Sequence, residues 1–141
     1  MVGELELKLL GPIGTFSSSD NNNPSVVIMA RWGNNKVLLT GDAETKAEER
    51  LIEEYASALK CDVLKVGHHG SHSSTWESGL LDYAKPTYAT ISCGVDNKYN
   101  HPHTEAIDEL EEHNVTIYRT DINGSILVTT DGEKITITTE K

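Results

Sequence analysis

The sequence has few cysteines and no long apolar run, and each shortage excludes a class of protein. Two cysteines in 141 residues, Cys61 and Cys93, are too few for a disulfide-stapled scaffold. Each borders an apolar stretch, where a free thiol packs as a small hydrophobe. No stretch approaches the roughly 18 apolar residues that cross a bilayer, and residues 1 to 4 lack the basic and apolar regions of a signal peptide. We therefore expect a free chain to be cytoplasmic.

Basic residues are also scarce. The sequence has 12 lysines and arginines against 22 aspartates and glutamates, which gives a formal net charge of −10. A surface of this sign repels a phosphate backbone unless basic side chains or metal ions are concentrated locally. Charge alone is therefore not expected to bring this chain to a nucleic acid.

The length and the 37% hydrophobic content are those of one globular domain, which we place at residues 1 to 141. Strand and helix patterns alternate, which predicts an α/β fold whose mixed sheet is parallel in its middle and antiparallel at its edges. The predicted strands cover residues 4–10, 25–32, 36–40, 62–66, 87–93, 115–118, 125–129 and 134–138, and the predicted helices cover residues 44–59, 74–83 and 104–113.

Five of the six histidines occur in two short segments that follow predicted strands. They are His68, His69, His72, His101 and His103. Imidazole is a ligand for zinc, manganese and iron, and α/β folds gather ligands at the carboxyl ends of parallel strands. Any one histidine in a loop more often bonds the backbone than a metal. Their clustering nevertheless favours a metal or phosphate site, to which we assign all of them except His72.

Asp42 follows an apolar strand and Gly41, so its carboxylate emerges at a strand end. Two interpretations are open at this point. The carboxylate bridges cations bound by the histidines, or it caps the helix that begins near Glu44, since aspartate is among the preferred N-cap residues.

Several strings of this sequence together resemble a known family. LLTGDAE at residues 38–44, DVLKVGHHGS at 62–71 and NHPH at 100–103 stand in the order and spacing of the second half of the metallo-β-lactamase-type hydrolase domain of the ComEC competence family. NNNPS at 21–25 and YRTD at 118–121 add to the likeness. The resemblance implies half of an αββα sandwich, a mixed sheet with helices on one face.

The resemblance also implies a chemistry. The family implies a two-metal hydrolase that uses zinc or manganese and cleaves a phosphodiester of DNA. Asp42 resembles the carboxylate that bridges both metals, and one of His68 and His69 resembles the last histidine ligand. His101 and His103 would then contact phosphate or act as general acid.

One departure from the family limits this expectation. The ligand string H-x-H-x-D-H of the first half does not occur in the sequence, and a catalytic zinc needs about three protein ligands of its own. We therefore expect incomplete metal binding and no turnover by the isolated chain. Either a missing N-terminal half completes an enzyme at the extracytoplasmic face of a bacterial membrane, or the chain is an interaction module that dimerises or pairs with a partner half.

A half-sandwich leaves one sheet face without a cover. We expect this face to be apolar and to form a homodimer by stacking sheet on sheet, because large apolar patches are rarely left in water. The residues expected to supply it are Val26, Ile28, Val37, Leu39, Val63, Val66, Ile91, Ile126 and Val128.

Overall fold

One mixed sheet of six strands organises the computed structural model, which describes residues 4 to 141. The signal-peptide prediction therefore lies largely outside the described residues. The strands are β1 (Glu6–Gly11), β2 (Val27–Trp32), β3 (Asn35–Leu39), β4 (Val63–Lys65), β5 (Tyr88–Ile91) and β6 (Thr116–Arg119), and they are neighbours in chain order. β1, β2 and β3 pair antiparallel, whereas β3 to β6 pair parallel. The predicted mixed sheet is confirmed, and the parallel pairs bring four strand ends to one edge.

Helices cover one face of this sheet. They are α1 (Thr45–Tyr55), α2 (Leu80–Ala84) and α3 (Thr104–Glu112). Leu51 of α1, Leu81 of α2 and Leu110 of α3 share one buried cluster with Leu38 and Leu64 of the sheet. Apolar residues spaced about one helical turn apart give each helix a stripe to bury against the strands, which stabilises helices too short to persist alone.

Two predicted helices have different limits in the structure. The helix predicted over residues 44–59 ends at Tyr55 and continues as the 3-10 turn Ala56–Leu59. The helix predicted over 74–83 begins only at Leu80. The Ser74 hydroxyl donates to the carbonyl of Gly67, and Thr75 has φ +75°. Hydroxyl side chains that bond the local backbone compete with helix in this way.

The polar loop over residues 11 to 24 lies against the start of α1. The Asn23 side-chain oxygen accepts hydrogen bonds from the backbone N–H groups of Glu44 (3.3 Å) and Ala47 (2.9 Å). Arg50 of α1 donates to the carbonyl of Ile13 at 2.6 Å. Asn23 therefore satisfies the first turn of α1, and the interpretation of Asp42 as its N-cap is wrong.

A hairpin of β7 (Ile126–Thr130) and β8 (Ile135–Thr139) forms a separate sheet. One end is tied to the β2–β3 turn, where the Thr130 hydroxyl donates to the side chain of Asn35. The other end is tied by the backbone N–H of Lys141, which donates to the carbonyl of Asn123. Asn123 ends α4 (Thr120–Asn123), a short helix that the sequence did not predict. The hairpin is therefore a separate sheet tied at both ends, where an antiparallel edge of the main sheet was expected.

The face of the main sheet opposite the helices, here called the second face, is exposed to solvent over β1 to β3. Strand register places Leu9, Ile28 and Leu39 in one row, and Leu7 lies on the same face two residues along. Lys8 points to the other face, with Nζ 5.2 Å from the ring centroid of Tyr55 in α1. Leu7 is 62% exposed, Leu9 64% and Leu39 39%. We call these three leucines the open face.

The open face is smaller than the sequence suggested. Val63, Val66 and Ile91 were expected on it, but each is fully buried. Val63 lies on the second face and is covered there, whereas Val66 and Ile91 belong to the core on the helix side. In the stretch that the structure describes, every helix falls short of the length and apolarity needed to span a membrane.

Candidate functional site

The turn Gly67–Gly70 follows β4 and carries two histidines in an unusual conformation. His68 has φ 41° and His69 has φ 57°, both in the left-handed region. Such backbone costs about 1–3 kcal/mol for each non-glycine residue and persists only where the surroundings impose it. We call this segment the histidine turn. Its conformation brings both imidazoles to the edge where the parallel strands end.

His69 is oriented by the backbone and stands beside Asp42. Its Nδ1 lies 2.7 Å from the carbonyl oxygen of Ser92, an atom that can only accept. Nδ1 therefore carries the proton, and Nε2 is the basic nitrogen of the neutral ring. Nε2 lies 3.7 Å from Asp42 Oδ1. A histidine held through one nitrogen and offering the other is the arrangement that metal sites use.

His68 is held by an acidic side chain on the other side of the turn. Its Nδ1 lies 2.8 Å from Glu44 Oε1, without the alignment of a regular hydrogen bond. Glu44 Oε1 also accepts from the Asn22 amide (3.1 Å) and the Ser73 hydroxyl (2.8 Å). The polar loop, α1 and the histidine turn therefore meet at this one carboxylate.

The segment before α3 brings His101 to the same edge. Its ring centroid lies 5.4 Å from that of His68 and 6.0 Å from that of His69. We call these three residues the histidine cluster. Burial, and then the neighbouring imidazoles, lower the pKa of His101, which favours its neutral form. Residues that are 33 positions apart in the chain thus form one group.

His103, also predicted at the site, lies beside His101, with 4.8 Å between ring centroids, but both of its ring nitrogens are engaged within the protein. Its Nδ1 lies 2.9 Å from the backbone nitrogen of His72, whose N–H donates to it. Its Nε2 therefore carries the proton and donates to the carbonyl of Tyr99 at 3.1 Å. His72 is not part of the predicted site, yet its Nδ1 lies 3.1 Å from that of His103. This geometry favours a positioning role for His103 rather than contact with a ligand.

Glu48 of α1 is fully buried, although it is an acidic residue. Its Oε2 accepts from the backbone N–H of Thr75 at 2.8 Å and from the Ser78 hydroxyl. Desolvation raises the pKa of Glu48 to about 7. The sequence feature that could have predicted this burial is the position of Glu48 between Ala47 and Leu51, which lie on the apolar stripe of the helix. Glu48 links α1 to the segment that follows the histidine turn.

The donors do not yet form a complete metal site. Across residues 4 to 141, no group of three or more His, Cys, Asp or Glu side chains is arranged to hold an ion. Asp42 and His69 form a pair of donors, whereas a zinc ion takes about four ligands in a structural site and three protein ligands in a catalytic one. Among the described residues, this pair is therefore smaller than the ligand set of a zinc site.

Comparison with known proteins finds relatives among bacterial competence and recombination proteins. The chain is 38% identical over 125 residues to ComE operon protein 3 of Bacillus subtilis and 40% identical over 109 residues to Competence protein ComA of Neisseria gonorrhoeae. It is 38% identical over 124 residues to Recombination protein 2 of Haemophilus influenzae. These matches cover 89%, 76% and 88% of this chain but only 16%, 15% and 15% of the relatives. The chain spans about a sixth of their length.

These findings correct the family identification made from the short motifs. The relatives are named for competence and recombination, none carries a metallo-β-lactamase or hydrolase name, and no family model matches the chain. The identification as half of a ComEC metallo-β-lactamase domain is therefore withdrawn, and the chain is described as similar to these named proteins. Strings such as TGD and HHGS describe turns at strand ends, and such local features do not define a function.

Proposed function

We propose that this chain is an interaction module of a competence-type DNA-uptake protein, whose open face docks on another part of the same protein. The observation that carries the proposal is the exposure of Leu7, Leu9 and Leu39 on one face of the sheet. Clustered, solvent-facing leucines on a strand surface are typical of a surface that another layer covers. The names of the relatives are the reason for proposing a role in competence. The relatives are also much longer than this chain, so in them another segment could be the docking partner.

Part of the second face is already covered, since Val63 there is 1% exposed. The hairpin is a second sheet within the chain. Further strands beside it would complete an αββα sandwich, in which two sheets pack about 10 Å apart. The strand-end edge with the histidine cluster would then lie at the rim of the two layers and face the DNA.

A chimaera tests the docking role in its own setting. The chain replaces the matched segment of ComE operon protein 3 in Bacillus subtilis, and the frequency of transformation is measured. We expect the chimaera to be transformable, and Leu7→Glu with Leu9→Glu to lower the frequency at least about tenfold, because two charges on the covered face oppose docking. Tyr83→Glu, on α2 at the opposite face, is the control. Equal frequencies for both variants would refute docking through the open face.

Light scattering of the isolated chain distinguishes two docking partners: another segment of the longer protein and a second copy of this chain. A monomer that binds a hydrophobic dye through Leu7 and Leu9 supports docking on another segment of the longer protein. A dimer that Leu7→Glu with Leu9→Glu converts to monomer shows instead that a second copy covers the open face.

A second candidate function is the binding of one divalent cation, zinc or manganese, between Asp42 and His69. The fixed tautomer of His69 favours it, since Nε2 is offered toward Oδ1 of Asp42. Such an ion would attract a phosphate of DNA to a chain of net charge −10. The comparisons give no support for hydrolysis, so the proposal is confined to binding.

Calorimetric titration with zinc or manganese tests this site. We expect weak binding of one ion, because two protein ligands leave most of the coordination sphere to water. Asp42→Ala and His69→Ala should each abolish the heat, whereas His113→Ala at the end of α3 should leave it unchanged. Binding that survives both site substitutions would place the ion elsewhere.

A further inference from the structure

A cleft of about 210 Å³ lies beside the histidine cluster, between the segment after β5 and the segment before α3. Its walls are mostly apolar. They are formed by His69, Cys93, Gly94, Asn97, Tyr99 and His101. A small apolar cleft next to convergent imidazoles suits a flat ligand that carries a charged group.

Tyr99 is an exposed aromatic ring on a firmly held backbone. The residue is 60% exposed. Its N–H donates to the Asn97 side-chain oxygen at 3.2 Å, and its carbonyl accepts from His103 Nε2 at 3.1 Å. Asn97 also accepts from the backbone N–H of His101 at 2.9 Å. A ring fixed in this way loses little conformational entropy when a ligand packs on it.

The ring of Tyr99 is stacked with the ring of His101 and has a cation over it. It lies nearly parallel to His101, with 5.7 Å between ring centroids and 23° between planes. Lys98 Nζ lies 4.9 Å from the Tyr99 centroid. Proteins that bind single-stranded nucleic acid combine such rings, on which bases stack, with cations that follow the backbone.

We propose that this cleft binds a nucleobase of single-stranded DNA, with the base stacked on Tyr99 and Lys98 near an adjoining phosphate. The inference rests on the proposed DNA-uptake role and adds the form of DNA that is recognised. A base in a duplex must first be unstacked or flipped out, at a cost of a few kcal/mol, so a single strand with free bases is favoured at this point.

The polar groups of the cleft predict tolerance of base identity. Both donor directions of the Asn97 amide are used within the protein, to the carbonyls of Gly94 (3.0 Å) and His101 (2.7 Å). The Cys93 thiol donates to Asp121 Oδ1 at 3.2 Å. Stacking without readout of the base edge accepts any base.

Fluorescence anisotropy with two labelled oligonucleotides tests the site. One carries about 12 thymines, a length in the usual range for such sites, and the other has the same sugar-phosphate backbone without bases. At low salt we expect the full chain to bind the thymine strand about tenfold more tightly, the effect of one stacked base. Tyr99→Ala and Tyr99→Leu should remove this difference without changing affinity for the abasic strand. Tyr99→Phe and the control Tyr83→Ala should retain it.

The outcomes separate this inference from the role on which it rests. Equal affinity of the unmodified chain for both strands would overturn the nucleobase site while leaving DNA contact through other groups. Binding of neither strand would overturn both the site and the contact with DNA. Loss of the difference in Tyr83→Ala as well would also overturn the assignment to Tyr99.

Discussion

The fully buried carboxylate of Glu48 accepts a hydrogen bond of 2.8 Å from the backbone N–H of Thr75, a residue with φ +75°. The bond crosses from α1 to the segment after the histidine turn. The second carboxylate oxygen, Oε1, is buried without a hydrogen-bond partner among the described residues. The Glu48 side chain thus holds the segment that follows the histidine turn against α1. Burying this carboxylate costs desolvation free energy.

Glu48 should make stability depend on pH. Burial raises the pKa of Glu48 from 4.5 to about 7, so between these values the folded state holds a proton that the unfolded state releases. The free energy of unfolding should therefore fall as pH rises from about 4.5 to about 7, by at most about 3 kcal/mol from this group, and level off above. Glu48→Gln keeps an acceptor for the Thr75 N–H and cannot ionise, so it should remove this fall.

Urea unfolding of both proteins between pH 4.5 and 8 checks this prediction. The substitution also buries an amide, which shifts the whole curve by an amount independent of pH. The slopes are therefore compared rather than the absolute values. Parallel curves for the two proteins would show that Glu48 is not the titrating group.

Gly67→Ala should destabilise the fold and displace the histidine turn. A Cβ at this position would lie 2.5 Å from the backbone carbonyl oxygen of Ala43, which cannot move without shifting the Asp42 segment. We expect a loss of about 2–4 kcal/mol, as for other forced backbone shifts. Gly94→Ala is the matched control, since its Cβ would meet nothing closer than 3.9 Å. Equal urea midpoints for the two variants would contradict the close approach.

Asn23→Ala should weaken α1 from outside the helix. The substitution removes the acceptor for the N–H groups of Glu44 and Ala47, whose hydrogen bonds are part-buried and buried, respectively. A lost cap costs about 0.5–2 kcal/mol. Thermal unfolding measures the loss, and Asn21→Ala in the exposed part of the same loop provides the comparison. A change no larger than that of Asn21→Ala would show that the cap does not contribute.

His103 should be found as the Nε2–H tautomer in the neutral protein. The reason is that Nδ1 accepts from the His72 N–H, whereas the Tyr99 carbonyl requires a proton on Nε2. Long-range nitrogen–proton spectra of the imidazoles distinguish the two tautomers. His103→Ala should lower stability by about 1–2 kcal/mol through the two lost hydrogen bonds. A proton on Nδ1 would instead leave His103 available to a ligand.

The sequence predicted the elements of this fold well where their patterns are local. Alternation and helical spacing located the strands of the main sheet and most of α1 and α3 to within a few residues. The helix expected over 74–83 was shortened because the Ser74 hydroxyl and Thr75 take part in contacts with Gly67 and Glu48. Those contacts join segments far apart in the chain, so no local pattern announces them.

The candidate site divides in the same way. The sequence by itself determined that Asp42 and the histidines stand at the ends of strands, because residue type and strand limits are local properties. Only the tertiary structure decided which nitrogen of His69 is offered toward Asp42, that His103 is engaged on both sides, and that Glu48 is buried. It also decided that Val63 is buried and that Leu7 and Leu9 are left in solvent. Tautomer, burial and exposure depend on which distant segments meet in the fold, and composition and periodicity do not encode that meeting.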